Sequence, residues 1–229
     1  MGIYSYNSKM KKLVIFGTGD IAELAAYYFE NDSEYQVVAF TADPEFVESN
    51  EFLGKPLVSF DRIQDLFPPS NHFLFVALSY AKLNLVRKTK YLEGKQRSYR
   101  YASFISSNAT ILNSNQIGEN CFILEDNTLQ PKSVIGNNVT IWSGNHIGHH
   151  SRIGDHTFIS SHVVISGGVL VGEQCFLGVN ATVRDHIQIG NRTVVGAGAL
   201  IMKSTPEESV SVPVATEVHK LKSNQLRSI

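Results

Sequence analysis

The sequence predicts a small Rossmann-like βαβ domain followed by a left-handed parallel β-helix of hexapeptide repeats, an α/β unit joined to an all-β one. Three periodic features carry the second part. Every sixth residue from Ile111 to Ile201 is aliphatic, at sixteen positions without exception: Ile111, Ile117, Ile123, Leu129, Ile135, Ile141, Ile147, Ile153, Ile159, Ile165, Val171, Leu177, Val183, Ile189, Val195 and Ile201. The next residue is Gly at 118, 136, 148, 154, 172, 178, 190 and 196, as expected where a corner needs φ > 0. The residue four after the aliphatic one is mostly small, as in Asn115, Cys121, Ser133, Ser151, Thr157, Cys175, Ala181, Thr193 and Ala199, and should point into a narrow interior. A hexapeptide repeat is one short strand and one turn that cannot bury its apolar side chain alone, so stacked coils share a continuous core. With about 18 residues per coil, sixteen repeats make a little over five coils.

The region before the repeats has a different rhythm. Lys11–Phe16 reads as an aliphatic strand, followed by Gly17-Thr18-Gly19-Asp20 and a helix with Ile21, Leu24, Ala25, Tyr28 and Phe29 on one face. Asn31-Asp32-Ser33 stops that helix. Strands are expected at Tyr35–Phe40 and Pro56–Phe60, a short helix at Asp61–Phe67, and a strand at Phe73–Leu78 whose unbroken apolar run implies cover on both faces. Lys82–Leu92 reads as a helix, and Tyr101–Ile105 leads into the repeats. The predicted division is a leader at 1–10, with Met10 as an alternative start, a Rossmann-like domain at 11–106, the β-helix at 107–204 and a tail at 205–229. Within the tail, Val210–Val214 is expected to dock as a short extended segment.

Composition narrows the class. At 229 residues with 43% hydrophobic content, the chain has enough apolar material for a real core, and a net charge of −1 gives no reason to expect nucleic acid or an anionic membrane as partner. The opening residues are polar and no stretch approaches a membrane span, so a cytoplasmic protein is expected. Two cysteines are too few for a disulfide framework, and both Cys121 and Cys175 fall on the small inward position. They read as buried hydrophobes.

Gly17-x-Gly19-x-x-Ala22 lies between a strand and a helix, the context in which a helix N-terminus can face a phosphate. Asp43 follows 24 residues after Gly19, near the spacing of a ribose-binding acid. Only half of a doubly wound dinucleotide fold precedes the repeats, so a mono- or diphosphate of a nucleotide-linked sugar fits better than a dinucleotide. Gly17, Thr18, Gly19, Asp20 and Asp43 are the substrate-binding candidates; the alternative is a tight turn that serves packing only. The basic run Lys82, Arg87, Lys88, Lys90, Lys95, Arg97 and Arg100 reads as a solvated helix face.

Seven of the eight histidines lie beyond residue 145: His146, His149, His150, His156, His162, His186 and His219. On the hexad frame His149 falls two after the aliphatic residue, and His150, His156, His162 and His186 three after it, positions that should project outward. One coil beyond His149 and His150 stand Gly167 and Gly168, a gap in the wall where a thin ligand such as a pantetheine arm can lie against backbone. The Gly167 N–H is then placed to bind an oxyanion formed from a thioester. An imidazole, titrating near neutral pH, suits a general base, and His149 is the candidate, with His150 beside it. The plainer reading is that these histidines are polar surface.

The Gly-rich βαβ unit, the hexapeptide array and the stretch Ile147-Gly148-His149-His150-Ser151-Arg152-Ile153-Gly154 resemble bacterial hexapeptide-repeat sugar acetyltransferases, the group containing UDP- and TDP-4-amino-sugar N-acetyltransferases and sialic-acid O-acetyltransferases. The resemblance spans about residues 11–215. It implies a homotrimer with acetyl-CoA as cosubstrate in a groove between neighbouring subunits, a nucleotide sugar on the N-terminal domain, no metal, His149 as base and Gly167 as the acetyl-binding glycine. It further implies N-acetylation of a nucleotide-linked 4-amino-4,6-dideoxy sugar used in surface polysaccharide. Two departures stand out. Members of this family usually carry Asp or Glu immediately after the base, where this chain has His150, so either another acid, such as Asp155 or one of a neighbouring subunit, orients the imidazole or His149 works with less help. The tail reads Ser211-Val212-Pro213-Val214-Ala215 where the family has Gly-Val/Asn-Pro-Ala.

Three other readings compete: a sugar O-acetyltransferase, a γ-class carbonic anhydrase and a non-catalytic nucleotide-binding scaffold. For the carbonic anhydrase, His150 and His186 have part of the zinc-ligand spacing, but position 191, where a third histidine should stand, is Asn.

Overall fold

The computed structural model describes residues 10–112, 116–216 and 222–225; residues 1–9 of the leader, Asn115, His219 and the remaining tail residues lie outside the described residues. The apolar run Lys11–Phe16 forms β1, and its last four residues are buried. Helix α1 (Asp20–Asn31) packs Ala22, Ala25, Ala26 and Phe29 inward, a stripe of small residues and one ring that brings it close to the sheet. Next come β2 (Tyr35–Ala42), β3 (Glu51–Phe52), β4 (Lys55–Ser59), the short α2 (Ile63–Leu66), β5 (His72–Val76), α3 (Leu85–Gln96) and β6 (Arg100–Tyr101). The sheet order is β3-β4-β2-β1-β5-β6, parallel except for the β3–β4 hairpin. Strand β1 is therefore central, with β2 on one side and β5 on the other. The carboxyl end of β1 lies where successive crossovers part, the place at which open α/β sheets bind ligands.

Helix α3 begins later than the expected Lys82. Lys82, Leu83 and Asn84 take left-handed φ of 50°, 52° and 63°, so the chain cannot enter a right-handed helix before Leu85.

The hexapeptides form three parallel walls of two-residue strands. The first wall stacks Thr110–Ile111, Thr128–Leu129, His146–Ile147, Val164–Ile165, Thr182–Val183 and Leu200–Ile201. The second stacks Val134–Ile135, Arg152–Ile153, Leu170–Val171 and Gln188–Ile189; the third runs from Phe104–Ile105 to Val210–Ser211. Each strand pairs with the one a full coil away, Thr128 opposite His146 and Thr140 opposite Phe158, which is the left-handed β-helix that the six-residue period predicts. The second residue of each strand points inward; Ile123, Ile141, Ile147, Ile159 and Ile165 are completely buried, with Cys121 and Cys175 among them. Both thiols are free and pushed up by burial, Cys121 to about 12 and Cys175 to about 11.

The corners differ from expectation. Positive φ falls three residues after the aliphatic residue, at Asn120, Asn138, His150, Gly168, His186 and their equivalents, rather than at the glycines directly after it. Those glycines answer to crowding instead. At Gly154 a Cβ would lie 2.5 Å from the Gly172 carbonyl carbon of the next coil, closer than any side chain can stand. The repeat also continues past Ile201 with a shortened coil: Thr205 bridges to Ile189, and Val210–Ser211 pairs with Val194–Val195. Lys203–Pro206 thus interrupts the period without ending the stack, and the expected extended segment is its last rung.

The α/β unit is docked on the third wall. Phe104, Phe122 and Leu124 of that wall share one core with Phe29, Phe40 and Phe75. Across the same junction Arg87 of α3, 1% exposed, sends its guanidinium into the solenoid. Nη1 donates to Asn138 O (2.6 Å) and Thr140 Oγ1 (2.9 Å); Nη2 donates to His156 O (3.1 Å), Thr157 O (3.3 Å) and Asn84 Oδ1 (3.1 Å). Asn84 Nδ2 in turn donates to Cys175 O, and the Val76 N–H to Asn120 Oδ1. The expected solvated basic face is thus corrected at Arg87. Burial lowers its pKa to about 10, so it keeps its charge at neutral pH. Burying a guanidinium costs several kcal/mol, and charge-assisted bonds of about 1.5–3 kcal/mol each offset this only when made together. Among the described residues no helix is long and apolar enough to cross a membrane.

Arg87→Met keeps the stem but strands three backbone carbonyls, so unfolding free energy should fall by about 3–5 kcal/mol in urea denaturation, with Arg87→Lys recovering only part. An unchanged midpoint would contradict this role.

Candidate functional site

The predicted site residues fall into two groups on opposite sides of the solenoid. The first surrounds the Gly-rich turn. Gly17 has φ +131°, and a Cβ there would stand 2.7 Å from Ala77 O, so the turn brings β1 and the end of β5 together only because no side chain intervenes. Gly19 is the N-cap of α1, has no side-chain capping bond, and a Cβ there would meet nothing within 4 Å. Ala22 and Glu23 N–H bond back to Gly19 O, while the Asp20 and Ile21 N–H groups are first-turn donors without an intrahelical acceptor. They open toward a cavity of about 560 Å³ bounded by Gly19, Asp20, Ala77, Ser79, Tyr80 and Trp142.

Two smaller spaces continue it. One of about 230 Å³ lies behind the turn, between Phe16, Gly17, Thr18, Asp43, Phe46 and Val86, and is mostly apolar. The other, about 180 Å³, runs along the third wall beside Tyr80, Trp142, Phe158, Ser160 and Val179. Shared residues join them into one groove: Gly19 and Leu78 at one end, Ile21, Ser79, Tyr80 and Trp142 at the other. Its shape suits an elongated ligand with a flat ring at one end, a phosphate at the helix N-terminus and a second ring against aromatic side chains. Tyr80 packs edgewise on Phe158 and at a tilt on Phe176 yet remains 52% exposed.

Thr18, Asp20 and Asp43 all line this groove. Asp20 sits exposed at the helix N-terminus, where its carboxylate suits the helix dipole but would repel a phosphate placed directly beside it. Asp43 is paired with Lys90 (2.7 Å), which also reaches Glu93 (3.0 Å). Burial works against the charge on Lys90, but the bonds from Asp43 and Glu93 outweigh it and raise its pKa. Sequence reading missed Tyr80, Trp142 and Phe46. The available signal was position: Ser79 and Tyr80 directly follow the buried central run ending at Leu78, and strand carboxyl ends form such sites.

The second group occupies the corner between the first and second walls. His149 and His150 are both exposed there, with Nδ1 atoms 3.0 Å apart. Gln130 Oε1 accepts from the His149 N–H (3.0 Å), and His149 O accepts from Gly168 N (2.8 Å). The His149 ring lies over Gly167: a Cβ at Gly167 would be 2.6 Å from its Cε1. Gly168, at φ +69°, similarly lies under the His186 ring, 2.4 Å from an added Cβ to Nδ1. In this arrangement the two glycines seat imidazoles, and the Gly167 N–H beside His149 stays uncommitted to the coil-to-coil ladder that occupies Gly168.

The other histidines separate. His156 is a correction to the outward reading: it is 5% exposed, its Nδ1 is 2.9 Å from Asn138 Nδ2, and its ring packs edgewise on Tyr91. Docked α3 covers that corner, and burial lowers the His156 pKa to about 4, which leaves it neutral. His162 is exposed over Gly144, and His146 faces out from the first wall. Asp155, the acid considered for orienting His149, instead accepts from Asn137 N–H (2.7 Å) and Nδ2 (3.2 Å) at a different corner. Among the described residues no group of three or more His, Cys, Asp or Glu gathers to hold a metal.

Gly17→Ala should lower the melting temperature by several degrees, since it meets Ala77 O in a left-handed conformation, while Gly19→Ala should leave it unchanged. Equal melting temperatures for the two variants would contradict the assigned roles.

Comparison with known proteins follows the same division. The bacterial transferase hexapeptide (six repeats) family matches residues 132–167 and 168–203. No curated protein matches the chain in sequence. Among solved structures, PerB from Caulobacter crescentus in complex with CoA and GDP-perosamine superposes with a TM-score of 0.77 at 25% identity, over 88% of this chain and 93% of that one. The acetyltransferase domain of PglB from Neisseria gonorrhoeae in complex with acetyl coenzyme A gives 0.77 at 20% identity, over 87% and 95%. WeeI from Acinetobacter baumannii gives 0.73 at 18%, over 87% and 95%. Residues 132–203 thus match the bacterial transferase hexapeptide family, and across both its units the chain shares the fold of PerB and of the PglB acetyltransferase domain.

Proposed function

We propose that this chain is an acetyl-CoA-dependent N-acetyltransferase acting on a nucleotide-linked amino sugar, a 4-amino-4,6-dideoxy hexose. The observation that carries the reading is the pairing, on one chain, of a groove at the Gly-rich turn and helix N-terminus with a His149–Gly167 corner. The similarity to PerB, whose structure holds CoA and GDP-perosamine, supports it over nearly the whole chain. Both substrates are cytoplasmic metabolites, which favours action in the cytoplasm.

The two groups of residues do not meet within one copy. The groove is built against the third wall, whereas His149 stands where the first and second walls join, across the body of the prism. A complete site therefore needs a neighbouring copy to bring its His149 corner to the groove, which a homotrimer of parallel solenoids would do. The first wall presents Val164 and Leu200 outward as exposed apolar contacts for such an assembly.

In the proposed reaction the sugar amine attacks the thioester carbonyl carbon while the imidazole of His149 takes the amine proton at Nε2. The Gly167 N–H receives the oxyanion. Collapse of the tetrahedral intermediate breaks the C–S bond, and the departing CoA thiolate takes the proton from the imidazolium, leaving an amide and free CoA.

A panel of nucleotide-linked amino sugars and their hydroxyl counterparts, assayed for CoA thiol release, tests this reading. Turnover is expected with an amino sugar, and His149→Ala should lower kcat by about 10²–10⁴-fold while calorimetric binding of CoA persists. Release only with hydroxyl acceptors would assign O-acetylation instead, and near-wild-type turnover in His149→Ala would remove the base assignment.

A further inference from the structure

We infer that His150 is the positioning residue for His149, accepting a hydrogen bond from its Nδ1–H and so leaving Nε2 bare for proton abstraction. The inference rests on the proposed role of His149. Its observation is the 3.0 Å separation of the two Nδ1 atoms, with the rings nearly perpendicular at 88°.

Two nitrogens at that distance share one hydrogen, so one ring donates and the other accepts. If His149 donates, its proton is on Nδ1 and its Nε2 lone pair is free. If His150 donates, His149 carries its proton on Nε2 and has no base to offer there. A carboxylate in this place could only accept; an imidazole can do either, so the pair has an active and an inactive neutral form. Adding one proton to the pair silences it in both arrangements, because the shared hydrogen then leaves His149 Nε2 protonated whichever ring holds the charge.

The backbone supports a dedicated geometry. His150 takes φ +60°, which every corner of this kind requires, and its N–H is held by Pro131 O, while the His149 N–H is held by Gln130 Oε1. The Gly167 backbone closes the far face of the His149 ring. Neither ring has a carboxylate partner among the described contacts. The charged or titratable groups that the register brings to this corner are Lys132 one coil before, Arg152 on the following strand, and Arg184, Asp185 and His186 two coils beyond, where Asp185 pairs with Arg184 (3.7 Å) and approaches His186 (4.0 Å).

The test uses the full chain labelled with ¹⁵N-histidine, whose long-range ¹H–¹⁵N correlations report the protonated nitrogen of each ring. At mildly alkaline pH, His149 should carry its proton on Nδ1 and His150 on Nε2. His150→Gly, which suits the left-handed corner, should move His149 toward the Nε2–H form and lower kcat on the order of 10-fold with KM for acetyl-CoA unchanged. His150→Asn, which also suits the corner and restores an acceptor, should return both the Nδ1–H form and most of the rate. A proton on Nε2 of wild-type His149, or a tautomer and kcat indifferent to His150→Gly, would overturn the inference. Near-wild-type turnover in His149→Ala would instead overturn the base assignment on which it rests, with the tautomer of the pair still readable.

Discussion

The guanidinium of Arg87 decides how the two halves of this molecule sit together. It leaves the helix face of the α/β unit and terminates on the carbonyls of Asn138, His156 and Thr157, two successive corners of the solenoid. Such an anchor tolerates little sliding, because a shift by one rung would leave a buried charge without its acceptors. The aromatic core of Phe29, Phe75, Phe104 and Phe122 supplies area, and the arginine supplies register. Everything that makes the groove follows from that register: Tyr80 reaches Phe158 and Phe176, and Trp142 closes the cavity whose other wall is the start of α1.

Docking on one wall also determines what remains free. The third wall and the corner between the second and third walls, at Asn138 and His156, take the α/β unit; the corner between the first and second walls does not. That free corner carries His149, His150 and the paired glycines Gly167 and Gly168. The proposed nucleotide-sugar groove and the proposed base thus stand on opposite sides of a single chain. Assembly, in the proposed account, is part of the catalytic design.

The solenoid was legible because its physics is local and repeated: an aliphatic residue every sixth position has one way to be buried, and Ile111 to Ile201 obeys it throughout. The corner chemistry was half legible. Glycine was expected where φ turns positive, but that place is held mainly by His and Asn, with Gly only at 144, 168 and 198, and the glycines two positions earlier mark close approach of the next coil. What sequence could not reveal came from docking. Arg87 sits in a basic run that reads as solvated, and His156 occupies a position that faces out in an isolated solenoid; both are buried only because α3 lies across that corner. Tyr80 and Trp142 come from separate units and acquire a shared role only when those units meet. His149 and Gly167 were visible as a pair because the coil length converts sequence separation into proximity.

The central claim is that the groove and the base belong to different copies of the chain. It is tested most directly by mixing two variants expected to be inactive: His149→Ala, which lacks the base, and Gly19→Trp, whose side chain fills the groove from a position where an added Cβ would meet no atom within 4 Å. Co-expressed in one cell and purified as mixed assemblies, they should regain CoA release, because a groove from the first can meet His149 from the second. Mixed assemblies no more active than either parent would contradict the account.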